Sequence, residues 1–210
     1  MIAGKLERAL RGEADPDADD PDPLEGFRCQ YLNTWPDASP TRRRTAEAVV
    51  TQAEWDALAG FVPAGAPAAV GVEAWFGAGI AVVAAWQLGP RVGLSCNVFS
   101  DLSSAGAYAL GLGAQMVLAG KSIAGDPSLA GCLPVGATSR SSVAELRRLV
   151  DDGAVTHDGS PGLTEQVLDV RTVAATEGMR IVSQSRLDAI KAAVWAAGAA
   201  RSAVETPAIF

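Results

Sequence analysis

The chain has 210 residues, 49% of them apolar, enough for one domain with a sizeable core or two small ones. A formal charge of -7 repels phosphates at long range, so any grip on nucleic acid needs a local basic groove or another polypeptide. The apolar runs fall short of the roughly 20 residues a spanning helix needs; Met1 leads into a charged segment rather than a signal peptide; and three scattered cysteines (Cys29, Cys96, Cys132) with one histidine, His157, argue against disulfides, structural zinc and multi-histidine sites.

Residues 5–11 read as a charged helix. Residues 13–25, rich in Asp and Pro, cannot form a core and read as a solvated linker. The apolar segment 27–35 is expected to dock onto the domain, so the division is a helical and acidic lead over 1–26 and a domain over 27–210. Thr51 and Glu54 form a capping box ahead of Trp55 and Leu58, with Gly60 as the stop. Residues 68–76, 80–88 and 91–99 are rich in Val, Ala, Ile and aromatics, and only Gly77-Ala78-Gly79 and Gly89-Pro90 separate them. Turns that short predict an antiparallel three-strand meander. A helix over 101–112, stopped by Gly113, leads to a short buried strand over 115–119, which the crossover sets parallel to the first strand.

Asp126 and Pro127 are a helix-start pair, and 132–135 is a further strand. Ser142 and Glu145 read as a second capping box, followed by Val143, Leu146, Leu149 and Val150 at helical spacing. Ser160 and Pro161 open a helix ending near Val170. Residues 171–175 and 179–183 read as a hairpin around Glu177 and Gly178, and 185–202 as an Ala-rich helix with Leu187, Ile190 and Val194 on one face. The sum is an α/β chain with a mixed sheet flanked by helices.

Few motifs carry chemistry. Gly120, Lys121 and Ser122 look like the end of a phosphate loop, but Gln115 stands where its first glycine belongs. Gly111 and Gly113 lack a third glycine, since Met116 holds that position, and read as a helix stop. His157 lies in a polar turn, 156–160, and reads as a surface or turn-bracing residue; no nucleophile-elbow pattern accompanies it. Any active site must therefore be built from carboxylates. Glu73 sits in the apolar strand, where a charge needs either an ion pair or a metal. Asp188 opens the last helix as a dipole-favoured acid capped with Ser185, or serves as a ligand. Arg42, Arg43 and Arg44 read as a solvated basic run.

Several segments together resemble the C-terminal nuclease domain of phage terminase large subunits, over about residues 27–203. Phe27 to Trp35 is similar to the family's entry segment, and Val70, Gly71, Val72 and Glu73 to its first strand, which ends in a metal-binding acid. Residues 146–159, through Thr156, His157, Asp158 and Gly159, resemble the helix and turn that follow; Arg186 to Trp195 resembles the last helix, with Asp188 at its acid. The resemblance implies a ribonuclease H-like mixed sheet and an endonuclease cutting double-stranded DNA during genome packaging. It implies two ions, Mg2+ or Mn2+, held by Glu73, Asp188 and, as a third ligand, Asp126. Such ions sit about 3.5–4 Å apart, one activating water and the other stabilising the leaving oxygen.

It further implies DNA contacts from Lys121, Arg147 and Arg148; the terminase ATPase domain, portal and small subunit as partners; no membrane; and the cytoplasm of the phage's host. Two departures weaken the centre. Glu73 stands for an aspartate, and no acid stands near Ala119 and Gly120, where the family's second one belongs and Lys121 adds a positive charge. Weak or absent cleavage is expected, with Ala119→Asp as the restoring change. A non-catalytic module for docking DNA or protein is the alternative.

Overall fold

The computed structural model describes residues 7, 8, 10–13, 46–175, 178–182 and 186–202. The linker over 13–25, bar Glu13, the segment 27–35, Arg42 to Arg44, Cys29, Glu177, Ser183 and Ser185 lie outside them. The chain divides into two units, residues 1–45 and 46–210; in the first, Arg11 pairs with Glu13.

The second unit runs β1 (Glu47–Ala48), α1 (Gln52–Asp56), β2 (Ala69–Trp75), β3 (Gly79–Leu88), β4 (Arg91–Phe99), α2 (Leu102–Gly111), β5 (Met116–Gly120), a 3-10 turn (Pro127–Leu129) and β6 (Leu133–Val135). It continues with α3 (Ser139–Asp151), β7 (Val155–His157), α4 (Pro161–Asp169), β8 (Arg171–Ala175), β9 (Gly178–Ile181) and α5 (Asp188–Ser202).

The main sheet has the order β6-β5-β2-β3-β4-β7. The meander expected from the short turns is there: β2 to β3 and β3 to β4 are antiparallel, and β5 lies parallel to β2 with Val72 beside Ala119. β6 and β7 extend the two edges in parallel. Gly71 faces α5 so closely that a Cβ there would come 2.2 Å from the Ala192 carbonyl oxygen; only a bare backbone lets this Ala-rich helix lie on the central strand.

One core cluster, on the α3, α4 and α5 side, takes Ala69, Val83, Leu94 and Cys96 from the sheet and Leu146, Leu163, Ile190 and Ala193 from the helices. The other, on the α2 side, holds Val70, Val72, Val82, Ala105, Ala119, Ile123 and Leu129. Alternation along each strand sends neighbours to opposite clusters, as period two requires.

Two expectations are corrected. α3 starts at Ser139 with Thr138 as its cap, accepting from the Ser141 N–H. Ser142 lies inside the helix, after the Thr138 cap, with a buried hydroxyl that meets no partner among the described residues. Val155 to His157 is an edge strand rather than a polar turn, and His157 is buried at 3% exposure. Its ring stacks on Trp55 with centroids 4.0 Å apart; Nδ1 accepts from the Gly159 N–H, so Nε2 carries the proton and donates to the Trp55 carbonyl. The expected hairpin is present as β8 and β9, which pair antiparallel and form a separate sheet with β1.

Candidate functional site

Parallel strands end together, so β2 and β5 deliver their last residues to one end of the sheet, the usual place for a site in an open α/β fold. Glu73 is there, 6% exposed, on the face that α5 covers. Its Oε1 accepts from the Ala74 N–H at 3.0 Å and the Ser122 hydroxyl at 3.2 Å. Among the described residues no Lys, Arg or His forms an ion pair with it. That disposes, within those residues, of the structural ion pair as its explanation.

Gly120 shares this face. A Cβ there would lie 2.6 Å from both Glu73 carboxylate oxygens. Ala119 does not share it: fully buried, it belongs to the α2-side cluster with Val70 and Val72. The position from which a second acid could meet Glu73 is therefore 120. The one-residue difference follows from strand alternation.

α5 runs so that its Ala192 lies over Gly71 and its first turn points toward the β2–β3 turn. Asp188 thus reaches the same end and the same face as Glu73. Its side chain is 0% exposed and already held. Arg186 donates from Nη2 to Oδ2 at 2.6 Å and from Nε to Oδ1 at 3.1 Å, and Gln166 donates to Oδ1 at 2.9 Å. Gln166 in turn accepts the Ala189 N–H, so it ties down the start of α5 as well. Arg186 also donates to the Ala78 carbonyl, which joins the helix start to the turn after the Glu73 strand.

Cys96 completes this region. Burial, reinforced by the charges of Asp188 and Asp158, pushes its thiol up to about 12, so it is a small hydrophobe rather than a nucleophile.

The other expected residues are placed elsewhere. Asp126 caps the 3-10 turn, accepting from the Ser128 N–H and hydroxyl, which lowers its pKa; that turn packs against α2, on the far side of the sheet. Lys121 is exposed, its stem alongside Gly136. Arg147 donates to the Val49 carbonyl and pairs with Glu54 and Asp151; Arg148 pairs with Glu145 and Asp152.

Among the described residues no three His, Cys, Asp or Glu side chains gather to hold a metal. The donor set does not fit a two-ion centre: two carboxylates share the end, one of them neutralised by Arg186, and the third acid is across the sheet. Sequence reading missed Arg186, Gln166 and Ser122. Only the opposite charges of Arg186 and Asp188, two residues apart, hinted at the pairing.

The same end carries a cleft of about 530 Å³ lined by Ala74, Trp75, Phe76, Ile80 and Asp101, with Phe76 74% exposed. Among the described residues no helix is long and apolar enough to cross a membrane.

No protein-family model and no curated protein matches the chain. Solved structures do. The large terminase of bacteriophage HK97 aligns with a TM-score of 0.55 at 15% identity, over 94% of this chain and 60% of that one. The large terminase of a thermophilic bacteriophage aligns with a TM-score of 0.55 at 6% identity, over 73% and 44%. The large terminase nuclease of another thermophilic phage, G20c, aligns with a TM-score of 0.49 at 14% identity, over 71% and 96%. The chain thus spans 60% or less of the first two terminases. With its meander, its parallel flanking strands and its helical layers, the chain shares its ribonuclease H-like fold with part of these phage large terminases.

Proposed function

We propose that the chain, with residues 27–210 as its working domain, is the nuclease-fold module of a terminase-type packaging machine. Its centre is reduced to Glu73 and Asp188, so it cuts double-stranded DNA weakly or not at all. The observation that carries this reading is the pairing of Asp188 with Arg186, together with Gly120 lying against Glu73 where a second acid would stand. An all-oxygen pair of this kind favours Mg2+ or Mn2+. Glu73 offers one carboxylate without a resident cation among the described residues. Asp126 supplies nothing, being held as a cap.

DNA would meet the module chiefly through Lys121, since the guanidinium groups of Arg147 and Arg148 are already shared with acids. With so little positive charge, the ATPase domain, portal and small subunit would have to bring DNA to it. The engaged state of Asp188 also favours the second reading, a non-catalytic docking module.

Plasmid nicking in Mn2+ tests the first reading and gel-shift of the same DNA the second. The expected result is slow nicking at most, abolished by Asp188→Ala. Vigorous cleavage that Asp188→Ala leaves unchanged would put the chemistry at another place. Retained DNA binding with no nicking under any metal selects the docking module.

A further inference from the structure

Two carboxylates share one end of the sheet in opposite electrostatic settings. Glu73 has no ion-pair partner among the described residues. Asp188 is gripped along both oxygens by the Arg186 fork, at 2.6 and 3.1 Å. The grip is part of a built arrangement. The Asp188 side chain is wholly enclosed, Gln166 fixes the same oxygen that Nε meets, and the guanidinium has a third anchor at the Ala78 carbonyl.

Three contacts on three different nitrogens hold the guanidinium in one orientation, which presents a positive charge where a metal ion would approach these oxygens. A divalent ion could reach Asp188 only by displacing that group or by lying against it, cation beside cation.

We propose that Arg186 is the resident cation of Asp188: its guanidinium takes the place of a metal ion and keeps divalent ions off this carboxylate. The proposal rests on reading Glu73 and Asp188 as what remains of a nuclease centre. It goes further in assigning to a residue of the chain itself the place of a missing ion.

The test is Mn2+ binding to the full chain, followed by electron paramagnetic resonance of the free ion and by paramagnetic broadening of amide signals. In the unmodified chain the Ala189 amide should keep its signal when Mn2+ is first added. Arg186→Gln should tighten Mn2+ binding by about tenfold or more, the scale of one opposite charge at contact, and should broaden Ala189. Adding Asp188→Asn to Arg186→Gln should remove the gain. Unchanged affinity in Arg186→Gln, or early broadening of Ala189 in the unmodified chain, overturns the assignment.

If Arg186→Gln folds poorly, melting with and without Mn2+ decides. A metal-dependent rise confined to the variant supports the proposal, and no rise counts against it. Plasmid nicking separates the two claims. Tighter metal binding without nicking leaves Arg186 assigned and selects the docking module over a weak nuclease; nicking without tighter binding keeps the nuclease and removes the assignment of Arg186.

Discussion

At the scale of single residues, what matters is which way a side chain points. Gly120→Asp would set a second carboxylate against Glu73, whose own oxygens, at the end of a flexible side chain, would have to move aside. Without a cation the two acids repel. The variant should therefore melt lower than the unmodified chain in EDTA and recover in Mn2+, as differential scanning fluorimetry would show. Ala119→Asp should do something quite different. Its carboxylate would be buried unpaired in the cluster with Val70 and Val72, costing about 3–5 kcal/mol in urea denaturation with no rescue by metal. Cys96, with its thiol pushed up to about 12, should resist iodoacetamide at pH 8 in the folded chain and react once the chain is unfolded, as peptide mapping would show.

At the scale of elements, Gly71 sets how closely α5 approaches β2. Gly71→Ala places a Cβ against the Ala192 backbone, which cannot move as a side chain end can. Forcing the helix outward should destabilise the fold by about 1–3 kcal/mol in urea titration. The meander was legible in the sequence because Val and Ala runs end at Gly77 and Gly89, where the chain must turn. The short α1 was legible from its Thr51 and Glu54 capping box, which the structure contains.

β7 was not legible, since three residues ending in Thr156 and His157 carry no alternation to read. The start of α3 was misread because serines and threonines crowd residues 138–142, and only the fold selects Thr138 as the cap. For the site, Glu73 stood out as an acid in an apolar strand. Its relation to Gly120 rather than Ala119 depends on the register between β2 and β5, and the capture of Asp188 depends on Gln166 from another helix.

At the scale of the whole molecule, one cross-link between distant parts should set part of the acid response. Arg147 of α3 holds Glu54 of α1 at 2.8 Å and, with the Thr51 contacts, lowers that carboxyl from 4.5 to about 2. A depressed folded-state pKa gives stability that is present above pH 4.5 and lost as the pH falls toward 2. Glu54→Gln should therefore lower the melting temperature at pH 7, with the gap closing by about pH 2; a gap that persists at that pH would mean some other cause.

The close seat of α5 on Gly71 also bears on synthesis. The meander is made early from contacts near in sequence, whereas the helix that covers its central strand is translated after every other described element. Until residues 188–202 leave the ribosome, that face of the sheet has no cover from α5, and neither Arg186 nor Asp188 can be in place. A nascent chain stalled before that point should show the apolar exposure that recruits chaperones, and the carboxylate pair should form only once α5 has docked.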